Sequence, residues 1–315
     1  MSKMLKAYAP ASIGNVSLGF DLLGAALSPI DGSPLGDEVE VSSSQSFELR
    51  VKGPFAHKLP ADTNTNIVVD CYKMFAEKLK SKGQRAQPVA MTLYKNLPIG
   101  SGLGSSASSI VAALHGLNEF FDSAFEQHEL LLMMGELEGQ ISGSVHYDNV
   151  APCFVGGLTL MNNASNQIAL SLPVFENWYW VVCYSGISVS TSEARRILPK
   201  QISIADTITF GQQLAVFVDA CYRKDENLAA AVMKDVLAEP YRKSLLPHFG
   251  QSRDFVMQNG GLAFGISGSG PTVFAVCNDL SKAKTIQHWL NDNYIQNDSG
   301  FSHICRIDSQ GAQAS

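Results

Sequence analysis

The alternation of apolar and polar residues predicts β-strands in both halves of the chain. Two half-polar runs, at residues 38–43 and 47–52, indicate a hairpin or a pair of adjacent strands. Residues 89–94 (VAMTLY) alternate before a glycine-rich loop, and residues 178–184 (WYWVVCY) form an apolar run typical of a buried strand. Strands are also expected at residues 4–8, 154–161, 262–266, 272–276 and 303–307.

A second group of segments has the periodicity of helices. Lysines stand at the end of residues 66–80, where a helix C-terminus favours positive charge. Serines stand at the start of residues 105–121, where their side-chain oxygens would cap free main-chain N–H groups. Helices are also predicted at residues 126–140, 204–222, 226–237, 247–258 and 281–291. Because strands and helices do not alternate strictly, this order favours an α+β fold over a doubly wound parallel sheet.

Length and composition restrict the class of protein. The 315 residues suit one large or two medium domains, and 45% hydrophobic against 17% charged residues argues against a disordered chain. A polar stretch, NNASNQ at residues 162–167, is the best candidate for a boundary, which would divide the chain into residues 1–162 and 163–315. The net charge of −6, without a cluster of lysine or arginine, argues against a nucleic-acid partner.

The remaining composition predicts a cytoplasmic protein with no membrane partner. The N-terminal residues carry too few apolar side chains for a signal peptide, and no window approaches the roughly 18 apolar residues of a membrane span. The six cysteines contain no CxxC pair, so we expect reduced thiols in the core. Neither HxxxH nor HExxH occurs among the seven histidines, which argues against a dedicated zinc site.

The stretch LPIGSGLGSSA, at residues 97–107, is the strongest local signal for chemistry. Gly100, Gly102 and Gly104 allow positive φ and a close approach of the main chain to a ligand. A helix beginning at Ser105 would present unpaired N–H groups, so strand, loop and helix together would bind an anion. The alternative is a turn that only joins a strand to a helix. No Gly-Lys pair occurs anywhere, which excludes a Walker loop, and GxGxG is not the dinucleotide pattern GxGxxG.

Three motifs together resemble the GHMP kinase superfamily, which includes galactokinases and the homoserine, mevalonate and phosphomevalonate kinases. They are APASIGNVSLGFDLLG at residues 9–24, PIGSGLGSSA at residues 98–107 and GISGSGPT at residues 265–272, in the order of that family. The resemblance implies two α+β domains. The N-terminal one would bind ATP and contain a left-handed βαβ unit, against the right-handed rule. The C-terminal one would be a ferredoxin-like α/β sandwich, and a strand near residues 301–309 is expected to return to the first domain.

Within this superfamily the chain is most similar to the homoserine kinases. The similarity rests on four stretches: GNVSLGFDLLG, ELEGQISGSVHYDNVAPC, STSEARRILP and AEPYR. It implies an enzyme that phosphorylates the hydroxyl of L-homoserine with ATP and Mg²⁺ in threonine biosynthesis. It also implies a homodimer. Homoserine carries a carboxylate, an ammonium and a hydroxyl, so its site needs a cation, an anion and a group that orients the hydroxyl.

The same resemblance assigns residues to the acceptor. Arg195 and Arg242 are candidates for the carboxylate, which a guanidinium can bind in a fork. Asp21 is the candidate for the ammonium, and Asn149 is the candidate for the hydroxyl. The full set of predicted acceptor residues is Asn15, Asp21, His146, Asn149, Thr191, Arg195, Arg242 and Gly268. The loop that contains Gly268 is expected to fold against the substrate and to stabilise the glycine-rich loop.

Metal and nucleotide ligands follow from the same resemblance. Ser106 and Glu138 correspond to the magnesium pair of the family, and Glu138 is preferred to Glu136 because Gly139 follows it. Lys95 is assigned to the base or ribose, although a solvated lysine at a strand end is an equal alternative. The predicted ATP-binding residues are Asn66, Lys95, Pro98, Ile99, Gly100, Ser101, Gly102, Leu103, Gly104, Ser105, Ser106 and Ala107.

Catalysis is expected to proceed without a strong protein base, with Asn149, Glu138 and Ser106 as the catalytic residues. Some members of the superfamily have an aspartate where Asn149 stands, and an amide cannot accept a proton near neutral pH. Asp148 would point the opposite way if the segment were extended. Two other functions stay open: a kinase for another acceptor, such as mevalonate or a sugar, and a non-catalytic sensor with the same fold.

Overall fold

The computed structural model describes residues 3–164 and 167–315 and contains two β-sheets covered by helices. In chain order the strands are β1 (Met4–Pro10), β2 (Ser12–Gly14), β3 (Leu23–Pro29), β4 (Gly36–Ser43), β5 (Glu48–Lys52), β6 (Val89–Tyr94), β7 (Leu158–Met161), β8 (Ala169–Leu172), β9 (Tyr179–Tyr184), β10 (Ala263–Ile266), β11 (Val273–Cys277), β12 (Phe301–Ile307) and β13 (Gln313–Ala314). A five-stranded sheet has the strand order β13-β1-β4-β6-β5, and an eight-stranded sheet has the order β10-β11-β9-β12-β3-β7-β8, with β2 paired to β3.

The helices cover these sheets, and each predicted helix is found close to its expected position, whereas the short helices at residues 150–155, 191–196 and 239–242 were not predicted. They are α1 (Ile67–Ser81), α2 (Ser105–Phe120), α3 (Gln127–Ser142), α4 (Val150–Val155), α5 (Thr191–Arg196), α6 (Ile204–Arg223), α7 (Glu226–Val232), α8 (Glu239–Arg242), α9 (Phe249–Gln258) and α10 (Leu280–Asn293). Mixed helices and sheets confirm the predicted α+β class. Among the described residues, no helix combines the length and the apolar character needed to span a bilayer.

The hairpin predicted for β4 and β5 is wrong, and so is their adjacency. β6 lies between them, antiparallel to β4 and parallel to β5. Parallel neighbours need a crossover connection, and α1 lies in the chain between β5 and β6. Strand periodicity identified both strands but not their partners. The left-handed course of this βαβ unit stays a prediction.

The strand predicted at residues 154–161 is also partly wrong. Its first residues belong to α4, and only β7 is extended. Gly156 and Gly157 separate the two elements with φ values of 72° and 78°. These left-handed conformations end the helix before the strand begins.

The helix predicted for residues 226–237 is shorter in the structure, where α7 ends at Val232. Asp235 then accepts hydrogen bonds from the main-chain N–H groups of Leu237, Ala238 and Glu239, at 2.8 to 2.9 Å. A carboxylate that binds such N–H groups begins a new helical turn, which becomes α8. This arrangement places Arg242 at the end of α8.

α2 is the central helix of the first core. Almost every residue along it is buried, and it packs against β1, β4, α1 and α3. Small side chains permit this close packing: a Cβ added at Gly116 would lie 3.1 Å from the Cβ of Ala7. Because burial holds the helix on all sides, its N-terminus is fixed beneath the glycine-rich loop.

Strand pairing connects distant parts of the chain. β12 pairs with β3 on one edge and with β9 on the other, while β13 pairs with β1. β7 and β8 also pair, across the predicted boundary between residues 162 and 163. Ser165 and Asn166, within the predicted boundary stretch, lie outside the described residues, and the division into two domains stays a prediction. All six cysteines are free and buried, as predicted.

Candidate active site

A cleft of about 700 Å³ collects most of the predicted site residues. Its walls come from the glycine-rich loop, the N-terminus of α2, the C-terminus of α3, and α5. The predicted residues that line it are Asn15, Asp21, Asn66, Lys95, Ile99, Gly100, Ser101, Gly102, Gly104, Ser105, Ser106, Glu138, His146, Asn149, Thr191, Arg195, Arg242 and Gly268. A volume of this size suits a small-molecule ligand.

Three residues predicted to bind ATP do not line the cleft. Pro98, Leu103 and Ala107 are buried, and the side chains of Leu103 and Ala107 have no exposed surface. Leu103 belongs to the core beneath the eight-stranded sheet, and Ala107 belongs to the core around α2. These side chains pack the structure that carries the loop.

The glycines of the glycine-rich loop have the positive φ values that the sequence predicts. Gly100, Gly102 and Gly104 have φ values of 66°, 81° and 64°. A Cβ at Gly102 would lie 2.4 Å from the carbonyl oxygen of Ser267. The predicted serine caps are absent, because the hydroxyls of Ser105 and Ser106 donate to Leu97 and Glu138 instead. The first turn of α2 therefore keeps main-chain N–H groups for a ligand.

The loop is anchored by two other segments of the chain. The hydroxyl of Ser267 donates to the carbonyl of Gly102 at 2.6 Å, and the Thr272 N–H donates to the carbonyl of Ser101 at 3.0 Å. On the other side, the Val189 N–H donates to the carbonyl of Gly100 at 3.0 Å. The segment at residues 265–272 thus contacts the glycine-rich loop, in keeping with the prediction that it stabilises this loop.

Ser106 and Glu138 meet at the entrance to α2. The Ser106 hydroxyl donates to Glu138 Oε1 at 2.8 Å, and Glu138 is only 6% exposed. Its second oxygen, Oε2, is buried and has no hydrogen-bond partner among the described residues. Burial raises the pKa of Glu138, and the Ser106 hydrogen bond opposes this only in part. An unpartnered carboxylate oxygen beside a hydroxyl fits a Mg²⁺ ion, which prefers a few oxygen ligands.

The predicted charges for the acceptor face one another. The guanidinium of Arg195 donates to both oxygens of Asp21, and Arg242 donates through Nη1 to the carbonyl of Gly268 at 2.9 Å. The ring of Phe20 contacts both guanidinium groups, whose Cζ atoms lie 5.7 Å and 5.2 Å from its centroid. Sequence reasoning missed this aromatic contact, although Phe20 precedes Asp21 in the quoted motif.

A strained segment places Asn15 and Asp21 in the cleft wall. Asn15, Val16 and Ser17 have φ values of 69°, 46° and 64°, and Asp21 has 57°. Positive φ at a β-branched residue is an outlier that the surrounding structure must enforce. The Asn15 side chain donates to the carbonyl of Gly268 at 3.1 Å and accepts from the Asp21 N–H at 2.9 Å.

The expected orientation of Asp148 is wrong, because its segment is not extended. Asn149 begins α4 in a right-handed helical conformation, and the buried Asp148 carboxylate also lines the cleft. Asp148 Oδ1 lies 2.9 Å from His146 Nδ1, and Oδ2 accepts from Asn149 Nδ2 at 3.1 Å. Ser12 donates to Asn149 Oδ1 at 2.9 Å. Both ends of the Asn149 amide are therefore held.

His146 has one nitrogen bound and one free. Its Nδ1 contacts Asp148, while Nε2 is buried without a hydrogen-bond partner among the described residues. Burial opposes the charged form of His146, but the hydrogen bond and the charge of Asp148 outweigh it and raise the pKa of the imidazole. A raised pKa increases the protonated fraction near neutral pH.

Asn66 and Lys95 line the cleft where α1 begins and where β6 ends. The Asn66 side chain accepts from the Val68 N–H at 3.0 Å and caps α1. Lys95 is not the solvated lysine of the alternative interpretation, since it is only 2% exposed and pairs with Asp37. The sequence does not indicate that Asp37 pairs with Lys95, because a single aspartate before a half-polar strand is common.

The chain matches two family profiles and several solved structures. The profiles described as GHMP kinases N terminal domain and GHMP kinases C terminal match residues 66–157 and 217–296. The homoserine kinase of Cytophaga hutchinsonii is 32% identical, with a TM-score of 0.88 over 100% of this chain and 98% of that chain.

Two more distant structures share the fold. A provisionally assigned homoserine kinase from Listeria monocytogenes is 22% identical, with a TM-score of 0.71 over 99% of both chains. The mevalonate kinase of Methanococcus jannaschii is 15% identical, with a TM-score of 0.70 over 98% of both chains.

Proposed function

The chain belongs to the GHMP kinases, a family of phosphotransferases, and we propose that it is a homoserine kinase. It would transfer the γ-phosphoryl group of ATP to the hydroxyl of L-homoserine, giving O-phospho-L-homoserine and ADP. This reaction belongs to threonine biosynthesis. The homodimer implied by the resemblance stays a prediction.

The observation that carries this proposal is the pairing of opposite charges beside the glycine-rich loop. Asp21 and Arg195 lie in one cleft with Arg242, which is only 4% exposed. An amino acid with free ammonium and carboxylate groups can satisfy these side chains, with a guanidinium binding the carboxylate in a fork. A sugar acceptor would instead need more neutral hydrogen-bonding groups.

The part of the cleft at the start of α2 suits a nucleoside triphosphate. Main-chain N–H groups at the start of α2 would bind phosphate oxygens, assisted by the helix dipole. Ser106 and Glu138 would hold Mg²⁺, which neutralises charge on the phosphates when bound. The contact between Ser106 and Glu138, with Glu138 Oε2 unpartnered, supports this assignment.

The proposed mechanism uses no strong protein base. The Asn149 amide cannot take a proton, and both oxygens of Asp148 already accept or share hydrogen bonds with His146 and Asn149. The pKa of His146 is raised, which favours its protonated form. A protonated imidazole can donate hydrogen bonds but cannot accept the proton of the hydroxyl. Phosphoryl transfer has a loose transition state, so positioning and charge stabilisation supply most of the rate increase. The hydroxyl proton would leave to the γ-phosphate or to water.

A coupled assay of ADP release tests this function against the alternatives. Purified protein is given ATP and Mg²⁺ with L-homoserine, mevalonate or galactose in parallel. We expect ADP release above the ATPase background with homoserine alone. Turnover only with mevalonate or galactose would assign a different acceptor. No turnover with any acceptor, combined with measurable ATP or homoserine binding, would instead support a sensor, although the Ser106–Glu138 pair argues against that role.

A further inference from the structure

The strongest unexplained feature is a buried ion pair beneath the glycine-rich loop. Asp37 has no exposed surface, Lys95 is 2% exposed, and the two side chains are in direct contact. Neither residue is used by the transfer step described above. A buried ion pair is costly unless hydrogen bonds satisfy its remaining atoms, so its partners show what it holds in place.

The carboxylate of Asp37 is fully engaged. Oδ1 accepts from the main-chain N–H groups of Asn96 and Leu97, at 2.8 Å and 2.9 Å. Oδ2 accepts from the hydroxyl of Ser109 at 2.6 Å and from the Lys95 ammonium. Asn96 and Leu97 are the residues from which the chain enters the loop, and Ser109 is in the first turns of α2. One side chain of β4 therefore contacts the segments on both sides of the glycine-rich loop.

The ammonium of Lys95 is also saturated. Besides Asp37 it donates to the carbonyl oxygen of Ser105 at 2.8 Å and to the hydroxyl of Ser109 at 2.9 Å. An ammonium has three hydrogens, so none remains for a ligand. Although Lys95 borders the cleft, its charge is directed into the protein and is neutralised there by Asp37.

We propose that Asp37 and Lys95 form a positioning pair. It fixes the two ends of the glycine-rich loop so that the N–H groups of the loop and of α2 face the phosphates, and Lys95 does not itself bind the nucleotide. This inference rests on the proposed function, because it takes ATP as the ligand of the loop. It replaces the base or ribose contact that the family resemblance suggests for Lys95.

A double-mutant cycle separates positioning from direct binding. The variants are Asp37→Asn, Lys95→Met and the two combined, and ATP affinity is measured by calorimetry together with the KM values for ATP and homoserine. We expect each single variant to bind ATP about 10-fold or more weakly, and the double variant to bind it about as weakly as the worse single variant, because coupled residues are not additive. The KM for homoserine should change by less than about threefold.

Opposite results would overturn the proposal. If Lys95→Met weakens ATP binding while Asp37→Asn does not, the lysine is a nucleotide ligand. If the double variant binds ATP like the wild type, the pair has no positioning role. Failure of the wild type to bind ATP would instead refute the proposed function itself.

Two further variants keep the test decisive if a single variant does not fold. Ser109→Ala removes one hydrogen-bond partner from Asp37 and one from Lys95 without leaving a buried charge unpaired. It should weaken ATP binding about threefold. Wild-type ATP affinity in both Ser109→Ala and the double variant would refute the positioning role. The matched control is Lys6→Met with Glu38→Gln, which removes a neighbouring, partly exposed ion pair between β1 and β4 whose charged atoms lie 2.7 Å apart. It should leave both KM values unchanged.

Discussion

The guanidinium of Arg195 binds the carboxylate of Asp21 through both of its terminal nitrogens, at 2.9 to 3.1 Å. Both side chains keep about a third of their surface exposed, at 32% and 31%. The two charges assigned to the acceptor therefore neutralise each other before it binds. An acceptor with opposite charges can replace both partners at once, whereas a ligand with one charge leaves the other partner unpaired.

Arg195→Ala should raise the KM for homoserine about 10- to 100-fold, because the acceptor carboxylate loses its charged hydrogen-bond partner. The KM for ATP should stay nearly constant, and initial rates at varied homoserine and ATP measure both. Arg196→Ala is the matched control, since Arg196 is exposed and does not line the cleft. A change confined to the KM for ATP would contradict the carboxylate assignment.

Glu138→Gln should reduce kcat by about two to three powers of ten while homoserine binding stays close to normal, since an amide is a poorer ligand for Mg²⁺ than a carboxylate. Turnover is measured across a magnesium titration. Glu136→Gln provides the control, because Glu136 is exposed and points away from the cleft. Full activity of Glu138→Gln at low magnesium would remove Glu138 from the site.

The same substitution should stabilise the metal-free protein at neutral pH. The folded-state pKa of Glu138 is raised above its usual 4.5, mainly by burial, so ionisation of the carboxylate disfavours the folded state. This cost is absent below the unfolded pKa and grows as pH rises through the folded pKa. With a chelator present, the Tm of Glu138→Gln should exceed that of the wild type by about 2 °C or more at pH 7 and should match it near pH 4. A constant difference across this range would exclude the ionisation effect.

Asp148 and Asn149 test the absence of a base. Asn149→Asp should not raise kcat, because the mechanism needs no carboxylate at that position. Asp148→Asn should lower kcat by only about 10-fold, since it loosens His146 and Asn149 but the mechanism transfers no proton to Asp148. Both are measured at saturating substrates. A loss of several powers of ten for Asp148→Asn with normal KM values would assign the proton to Asp148.

Gly102→Ala should weaken ATP binding at least about 10-fold. The added Cβ collides with the carbonyl oxygen of Ser267, and a φ of 81° strains any residue that has a side chain. Gly83→Ala separates the two causes. Gly83 has a similar φ of 77°, but nothing lies within 4 Å of its added Cβ. It should lose a little stability and keep its ATP affinity. Equal effects of the two variants on ATP binding would argue against the loop contact.

The sequence predicts the site best where the functional residues lie close together along the chain. Gly100, Gly102 and Gly104 must adopt left-handed conformations, and that requirement is visible as glycine at alternate positions. The contact between Ser106 and Glu138 was accessible only through the family resemblance, because 32 positions separate the two residues.

Residues whose role depends on a distant partner were missed. Asp37 acts through Lys95, 58 positions away, and no local pattern encodes that distance. Asp148 was misplaced because a short polar segment does not reveal whether it is extended or begins a helix. The same limit explains β5, whose alternation specified a strand but not its neighbour β6, which lies beyond α1 in the chain.

The pairing of β12 has a consequence for synthesis of the chain on the ribosome. β12, near the C-terminus of this sequence, occupies an interior position between β3 and β9. Until residues 301–307 emerge, both of these strands present an open edge, and open edges invite pairing with other chains. The nascent chain therefore stays exposed to aggregation until β12 has been made, although all of the residues that line the cleft precede β12.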